Sequence, residues 1–344
     1  MSGDLILITG VSGYIGFRTL ILALEAGFEI RAVIRKAEQA KKLESHKRIA
    51  PFVNNLQFCI IPDLSDTYSY DSHLQGVTGL LHIASPLASE TGDYERDIVN
   101  PAIKITLAVL NAAHRQSSIK RVVITSSAVT LIPISFMFGP APPTPDLRLY
   151  TASDINTKFS TPYASAMEAY FASKTLSRIA TKEFMEKEKP SFEYVNLLPA
   201  LVFGPNELAT NLKELMTSSC GMVMGSLIDL KIPEMIGASV HVDDVARAHI
   251  DALKPSVPGN RDYILSSDAP EGIIWDDAKE VVRQSFPEAV ESGVLKLQGS
   301  MPTRPWRLET RDTEEAFGWK HISLVETVKA LVGQYLELVA TEKK

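Results

Sequence analysis

The sequence predicts an α/β fold: a doubly wound parallel sheet with a smaller, mostly helical lobe in the C-terminal part of the chain. Short apolar runs alternate with longer helical patterns from residue 5 to residue 198. This alternation is typical of a parallel sheet that is covered by helices. The first apolar run, 5–8, leads through three glycines into an apolar helical segment, 17–26. A short continuous apolar run of this kind predicts a buried parallel strand.

The three glycines stand at positions 10, 13 and 16. One glycine permits the sharp turn, one lets the backbone approach a pyrophosphate, and one lets the helix pack close to the strand. The phosphates then bind free N–H groups at the positive end of the helix. The spacing differs from Gly-x-Gly-x-x-Gly, so an ordinary strand-to-helix turn is the alternative. The strand before the turn and the helix after it favour a dinucleotide-binding domain of the Rossmann type.

The remaining elements of the sheet follow in order along the chain. Further strands are predicted at 28–34, 56–61, 77–83, 121–125 and 194–198. Helical patterns at 37–49, 97–114 and 163–187 connect them. Gly27 is expected to cap the first helix, and Pro101 lies near the start of the third, where proline is tolerated. Right-handed crossovers would place the ligand beyond the carboxyl ends of the strands.

The segment 131–162 is irregular and contains six prolines together with Phe136, Met137 and Phe138. It is too long and apolar for a plain linker, so it predicts an excursion that forms part of a pocket. The stretch 208–230 is rich in methionine, which suits an adaptable pocket and equally suits plain core filling.

The C-terminal part is predicted to form a second lobe. A helix is expected at 240–253, with Asp243 and Asp244 as its caps. A short strand at 262–265 and amphipathic helices at 275–286 and 323–339 follow. The predicted domains are 1–198 with 236–265 for the dinucleotide and 199–235 with 266–344 for the substrate.

Composition excludes several classes of protein. The net charge of −6 gives a nucleic-acid partner no electrostatic support. No run of 18 apolar residues could span a membrane, and the chain enters its first strand too early for a signal peptide. Cys59 and Cys220 are expected to be buried thiols in a reducing, cytoplasmic compartment. The histidines at 82, 114 and 249 lack metal-ligand spacing, so no metal is predicted.

The second decisive motif is Tyr170 followed by Lys174. Four residues apart on a helix, the two side chains share one face. A free tyrosine has a pKa of about 10, too high for a proton relay at neutral pH, and we expect the nearby ammonium to lower it. Ser127 follows strand 121–125, at the sheet edge where ligands bind. A hydroxyl there can orient a substrate carbonyl beside the tyrosine.

These motifs together resemble the extended short-chain dehydrogenase/reductase family, in particular its dihydroflavonol-4-reductase-like branch and the fungal carbonyl reductases of the methylglyoxal type. The stretches that carry the resemblance span nearly the whole chain: 9–16, 81–86, 95–97, 125–127, 170–174, 199–205, 231–234 and 241–249.

The resemblance implies reduction of a ketone or aldehyde by NADPH. Tyr170 would protonate the carbonyl oxygen, and Ser127 would hydrogen-bond it. Lys174 would hold the nicotinamide ribose and tune Tyr170. The implied cofactor-binding residues are Gly10, Ser12, Gly13, Tyr14, Ile15, Gly16, Arg35, Lys36, Asp63, Leu64, Ala84, Ser85, Pro86, Lys174, Pro199, Leu201 and Val202.

Arg35 is the residue that predicts NADP rather than NAD as the cofactor. It follows the second strand, where an acidic residue would bind the ribose hydroxyls of NAD, and no acidic residue occurs before Glu38. Arg35 offers a fork of donors for the 2′-phosphate of NADP, with Lys36 beside it and Asp63 and Leu64 expected to flank the adenine. The alternative is a solvated arginine at a strand end.

Two departures from the family pattern concern the substrate. Ile132 stands where the flavonoid enzymes have an asparagine, and Glu168 to Phe171 do not match the Asn-Trp-Tyr-Cys motif of cinnamoyl-CoA reductases. A general or secondary-metabolite ketone reductase is therefore preferred. The candidate substrate residues are Ile132, Phe136, Phe138, Met216 and Met222.

Two other functions are compatible with this fold. A sugar-nucleotide epimerase or dehydratase would retain NAD, which Arg35 and Lys36 disfavour. A silent cofactor-sensing protein would commonly lack the tyrosine or the lysine, and both are present with the serine. The predicted partner is a small carbonyl compound, and the predicted assembly is a monomer or homodimer.

Overall fold

The computed structural model describes residues 3–140 and 148–342. The strands are β1 (Leu5–Thr9), β2 (Glu29–Ile34), β3 (Leu56–Ile60), β4 (Gly79–His82), β5 (Arg121–Thr125), β6 (Leu149–Tyr150), β7 (Glu193–Pro199), β8 (Leu201–Phe203), β9 (Met235–Ile236), β10 (Ser239–His241), β11 (Arg261–Leu265), β12 (Thr303–Arg304) and β13 (Arg307–Leu308). The helices are α1 (Tyr14–Glu25), α2 (Ala37–Glu44), α3 (Asn100–His114), α4 (Ile134–Phe138), α5 (Ala166–Glu188), α6 (Leu212–Leu215), α7 (Ser218–Ile228), α8 (Val242–Asp251), α9 (Ala278–Ser285), α10 (Pro287–Glu291), α11 (Arg311–Phe317) and α12 (Leu324–Glu342).

The predicted doubly wound sheet is confirmed. Seven strands are ordered β11-β7-β5-β4-β1-β2-β3, and β1 pairs in parallel with both β2 and β4. The chain order therefore reverses beside β1. Ligands of doubly wound folds bind at this reversal, beyond the carboxyl ends of the strands. Gly10 follows β1 and Ile83 follows β4, so the glycine turn lies at the reversal.

The starts of α5 and α3 differ from their predicted positions for identifiable reasons. Helix α5 begins at Ala166 rather than 163, because the Ser165 hydroxyl caps it by accepting a hydrogen bond from the Glu168 N–H at 3.2 Å. Glu168 completes the cap, since its carboxylate accepts from the Ala164 N–H at 2.8 Å. Helix α3 is preceded by a π-helical turn, Glu95–Val99. Such turns are rare and carry little signal in sequence.

The chain forms two compact units. The first comprises 1–133, 153–198 and 246–263, and the second comprises 134–152, 199–245 and 264–344. This division differs from the predicted one at 134–152, 236–245 and 264–265, which belong to the second unit. Short strand pairs explain the first two differences, because β6 pairs with β13 and β10 pairs with β8.

The second unit combines helices with three two-stranded sheets. Asp243 and Asp244 lie inside the first turn of α8, not at its cap as predicted. Asp244 instead accepts a hydrogen bond from the Ile322 N–H at 2.6 Å, and Asp268 accepts one from the Leu324 N–H at 2.8 Å. These two carboxylates attach the start of α12 to the rest of the unit.

Candidate functional site

The glycine turn has the close contacts that its sequence predicts. Gly10 has a φ of +83°, and a Cβ at this position would lie 2.7 Å from the Ala84 nitrogen. A Cβ at Gly16 would lie 2.0 Å from the Gly10 carbonyl oxygen. Real Cβ atoms do not approach backbone atoms so closely, so both positions require glycine. The turn consequently passes directly against the backbone that follows β4.

The start of α1 fits a bound pyrophosphate. Gly13 is its N-cap residue, no side chain caps it, and its first turn contains no acidic residue. A helix start of this kind offers N–H donors and a positive dipole end to an anion. The residues predicted to bind the cofactor phosphates, from Gly10 to Gly16, are therefore compatible with a dinucleotide.

Thr9 joins the ends of β1 and β4, a feature that the sequence analysis missed. Its hydroxyl accepts from the N–H groups of Ile83 and Ala84, both at 3.2 Å, and lies 3.0 Å from His82 Nδ1. Because both lone pairs of the Thr9 oxygen accept these N–H groups, the Thr9 hydroxyl donates its own proton to His82 Nδ1. The ring proton of His82 is therefore on Nε2. Burial and the Lys174 charge lower the pKa of His82 to about 3. His82 is thus a neutral acceptor that fixes this edge.

Arg35 and Lys36 lie exposed at the end of β2. The Arg35 guanidinium has no hydrogen-bond or ion-pair partner within 3–140 and 148–342 and is available to an external phosphate. Gln39, which is not among the predicted site residues, hydrogen-bonds the backbone of Arg35 and Lys36. Its amide oxygen accepts from the N–H groups of Arg35 and Lys36 at 3.0 and 3.1 Å, and its amide nitrogen donates to Ser12 Oγ at 3.1 Å.

The loop after β3 contains the two residues predicted to flank the adenine. Asp63 accepts from the backbone and hydroxyl of Ser65 at 2.9 and 2.7 Å, and these bonds lower the pKa of Asp63. The Leu64 carbonyl accepts from the Tyr70 hydroxyl at 3.1 Å. After β4, Ala84, Ser85 and Pro86 continue from the backbone that faces Gly10. The loop residues are therefore fixed by local hydrogen bonds.

Helix α5 presents Tyr170 and Lys174 on one face, as predicted. The Lys174 ammonium lies 5.9 Å from the centre of the Tyr170 ring and donates to the Thr125 carbonyl at 3.2 Å. Lys174 is 7% exposed, and burial lowers its pKa to about 8. The ammonium is consequently close to losing its proton just above neutral pH.

Ser127 lies between β5 and a 3₁₀ turn, Ala128–Leu131. Its hydroxyl caps this turn by accepting from the Val129 N–H at 3.3 Å, and it also hydrogen-bonds Tyr170. The Ser127 bond lowers the pKa of Tyr170, but burial outweighs it and the net direction is upward. The net direction is therefore opposite to the lowering expected from Lys174. A protonated phenol at neutral pH suits proton donation.

A small cavity adjoins Lys174. It has a volume of about 20 Å³, and Lys174, Ser126, Ser177 and Asn196 contribute to its lining. Ser126 Oγ, Ser177 Oγ and Asn196 Oδ1 are buried without a hydrogen-bond partner among the residues the structure describes. A space of this size accommodates about one water molecule. The interior beside Lys174 is thus polar, which limits the cost of burying its ammonium.

The predicted substrate residues are divided between the two units. Ile132 belongs to the first unit and is fully buried, so its predicted substrate contact has no support here. In the second unit, Phe136 packs against Tyr150 and Trp306, with ring centres 6.0 and 6.5 Å away. Met216 and Met222 are partly buried at the end of α6 and within α7. The side chain of Phe138 lies outside the described part of the chain.

Three predicted cofactor residues also lie in the second unit. Pro199 ends β7, and Leu201 and Val202 form β8, which pairs in parallel with β10. The Val202 carbonyl accepts a hydrogen bond from the Ser219 hydroxyl. Both predicted buried thiols, Cys59 and Cys220, are buried, and they form no disulfide.

Within residues 3–140 and 148–342, no helix is long and apolar enough to cross a membrane. No group of three or more His, Cys, Asp or Glu side chains in the same ranges could hold a metal ion.

Comparison with known proteins identifies the family. Residues 6–265 match the model of the NAD dependent epimerase/dehydratase family. Ketoreductase CTB6 of Cercospora nicotianae is 37% identical over 350 residues, which cover 98% of this chain and 96% of that protein. Ketoreductase sphI of Aspergillus fumigatus is 29% identical over 296 residues, covering 83% and 85%.

A solved structure has the same fold. Yeast methylglyoxal/isovaleraldehyde reductase Gre2 complexed with NADPH superimposes with a TM-score of 0.80 at 22% sequence identity, covering 98% of this chain and 99% of that one. The resemblance inferred from the motifs is thereby confirmed. The chain belongs to the NAD dependent epimerase/dehydratase family, among the extended short-chain dehydrogenases/reductases.

Proposed function

We propose that this protein reduces a ketone or aldehyde to an alcohol with NADPH. The observation that carries the proposal is the assembly of Ser127, Tyr170 and Lys174 in one unit, at the sheet edge that holds the glycine turn. Tyr170 is hydrogen-bonded to Ser127 and protonated at neutral pH. Two related fungal proteins of this length are named ketoreductases, which supports the same chemistry here.

Each member of the trio has a distinct part in the reaction. NADPH, when bound, supplies a hydride to the carbonyl carbon. Ser127 hydrogen-bonds the carbonyl oxygen and orients it, and Tyr170 gives that oxygen its proton. The Lys174 ammonium stabilises the phenolate that remains and binds the ribose of the cofactor. The glycine turn would hold the pyrophosphate, and Arg35 with Lys36 would hold the 2′-phosphate.

The direct test is NADPH oxidation against a panel of carbonyl compounds, from small 2-oxoaldehydes to bulky aryl ketones. We expect absorbance at 340 nm to fall with stoichiometric formation of alcohol. Conversion of a sugar nucleotide with no net consumption of NADPH would instead establish the epimerase alternative. Absence of both reactions, with NADPH bound, would favour the cofactor-sensing alternative.

The same panel tests the preference for substrate. Because Phe136 lies against Tyr150 and Trp306, we expect aryl or alkyl ketones to have higher kcat/KM than small hydrophilic aldehydes. An aromatic contact contributes about 0.5–1.5 kcal/mol beyond its buried area. Phe136→Ala should therefore lower kcat/KM for aryl ketones by about 2- to 12-fold. The small aldehydes are the internal control, and an equal loss for both classes contradicts a substrate contact.

Cofactor choice depends on Arg35. A charge-assisted hydrogen bond contributes about 1.5–3 kcal/mol, which corresponds to about 10- to 100-fold in affinity. NADPH should exceed NADH in kcat/KM by at least that factor. Arg35→Ala should remove most of the difference by raising the KM and Kd for NADPH, with NADH nearly unchanged.

Lys41→Ala is the matched control for Arg35→Ala. Lys41 is an exposed cation on α2, so its loss removes the same charge without the predicted phosphate contact. Binding of both cofactors is measured by fluorescence titration as well as by kinetics. Equal use of NADPH and NADH by the unmodified protein would show that Arg35 does not bind the phosphate.

The proposal includes a cytoplasmic location and a monomer or homodimer, both inferred from the sequence. The thiols of Cys59 and Cys220 are buried and form no disulfide, which is compatible with a reducing compartment. Sedimentation of the purified protein measures its assembly.

A further inference from the structure

We propose that Arg178 is a positioning residue whose guanidinium, held by Asp262, fixes the turn that carries Ser127 against helix α5. The inference rests on the proposed reductase function, because Ser127 and Tyr170 are the groups it positions. Arg178 itself touches neither substrate nor cofactor in this proposal.

The location of Arg178 continues the catalytic face of α5. It lies four residues beyond Lys174 and eight beyond Tyr170, so the three side chains follow one another along the helix. Arg178 is only 1% exposed. A buried ion pair contributes little to stability, since desolvation offsets the attraction. Stability alone is therefore a weak explanation for a guanidinium at this position.

One edge of the Arg178 guanidinium binds the carboxylate of Asp262. Its Nε and Nη2 donate to Asp262 Oδ2 at 3.1 and 2.8 Å. The other carboxylate oxygen accepts from Asn196 Nδ2 at 2.8 Å, and Lys182 Nζ lies 2.7 Å from Oδ2. Asp262 is thus held by β7 and by α5, and it leaves Arg178 a single orientation.

The other edge of the guanidinium reaches the catalytic turn. Nη1 donates to Thr130 Oγ1 and to the Asp154 carbonyl, both at 2.9 Å. The Thr130 hydroxyl in turn donates to the carbonyl oxygen of Ser127 at 2.8 Å. Only Thr130 therefore separates Arg178 from the backbone of Ser127. A planar fork can make these contacts at once, whereas a lysine ammonium cannot reproduce them.

Fixing this turn sets the distance between the hydroxyls of Ser127 and Tyr170. A looser turn weakens their hydrogen bond and misplaces the group that orients the carbonyl. The Ser127 bond lowers the pKa of Tyr170, so its weakening raises that pKa. The charged group facing Tyr170 is Lys174, which the variants below leave in place, and His82 is neutral.

The test compares Arg178→Lys with Lys182→Met. Arg178→Lys keeps a cation beside Asp262 but removes the hydrogen bonds to Thr130 Oγ1 and the Asp154 carbonyl. Lys182→Met removes the other cation beside Asp262 and keeps those two hydrogen bonds. We expect Arg178→Lys to lower kcat by about 10- to 100-fold, as sub-ångström to ångström misplacement does, with the KM and Kd for NADPH and the Tm near wild type. Lys182→Met should retain wild-type kcat.

A second variant tests the same inference in case Arg178→Lys does not fold. The double change Arg178→Met with Asp262→Leu removes both charges of the buried ion pair, and such replacements are often neutral for stability. It leaves Lys182 without its carboxylate partner, but the Lys182 side chain is 38% exposed and its charge stays solvated. It should show the same loss of kcat. Wild-type kcat in Arg178→Lys or in the double variant overturns the inference. An equal loss in Lys182→Met also overturns it, because the effect is then one of charge at Asp262.

A measurement without turnover separates this inference from the proposed function. Tyrosine labelled with ¹³C at Cζ reports the pKa of Tyr170 by NMR, with Tyr170→Phe assigning the resonance. We expect Arg178→Lys to raise this pKa by about one pH unit, the equivalent of one weakened hydrogen bond. An unchanged pKa contradicts the positioning role. A raised pKa in a protein that reduces no carbonyl supports the positioning role and refutes the reductase function.

Discussion

Replacement of Tyr170 by phenylalanine is expected to lower kcat by about 10²–10⁴-fold, the usual contribution of a positioned general acid. The change removes one oxygen atom and keeps the aromatic ring of this α5 residue. Binding of NADPH should therefore persist, as measured by fluorescence titration. The loss should appear in kcat and not in the KM for NADPH, because the proton is transferred only in the transition state.

The control for Tyr170→Phe is Tyr163→Phe. Tyr163 precedes α5 and hydrogen-bonds Glu95, so this change also removes a phenol hydroxyl near the same helix. We expect it to retain kcat within about threefold, because the half-buried Tyr163 keeps its ring in this variant and has no part in the proposed proton transfer. Wild-type kcat in Tyr170→Phe would refute the proposed mechanism.

Gly16→Ala should have the second large effect, on both stability and cofactor affinity. Its Cβ would lie 2.0 Å from the Gly10 carbonyl oxygen, so either the turn or the helix must move. Overpacking of this kind typically costs about 1–3 kcal/mol. Displacement of the turn should also weaken NADPH binding by about 10-fold or more, because a shift of 1.4 kcal/mol equals one decade. Urea unfolding of the apoprotein and fluorescence titration measure the two effects separately.

Gly13→Ala is the matched control for stability. A Cβ there would lie 3.4 Å from the same Gly10 oxygen, and Gly13 has a φ of −100° that alanine can adopt. We expect its unfolding free energy to fall by less than about 1 kcal/mol, the usual difference between cap residues. If Gly13→Ala and Gly16→Ala destabilise equally, the close approach at Gly16 is not the cause.

Local sequence signals predicted the parts of the site that depend on neighbouring residues. The glycine turn follows an apolar strand directly, and Tyr170 and Lys174 are related by one helical turn, so short-range geometry was sufficient. The start of α5 was misplaced for a similarly local reason. The sequence contains the cap signal, Ser165 with Glu168 three residues later. The predicted helix nevertheless begins at Tyr163, three residues before the observed start at Ala166.

Features that depend on distant residues could not be predicted. Arg178 and Asp262 are 84 residues apart, and nothing in either neighbourhood indicates the other. The pKa of Tyr170 was expected to fall because Lys174 is near in sequence, but the direction is set by burial, which depends on the packing of several elements. Segment 134–152 joins the second unit through a two-residue strand, a pairing too short to leave a periodic signal.

The way in which the chain is divided has an evolutionary consequence. Ser127, Tyr170, Lys174 and the glycine turn all belong to the first unit, whereas Phe136, Met216 and Met222 belong to the second. The second unit is assembled from three separate stretches of sequence. A single genetic crossover therefore cannot transplant it whole from one relative to another. Transfer of the second unit in a chimaera therefore requires replacement of all three stretches, with the first unit and its proton-transfer groups left in place.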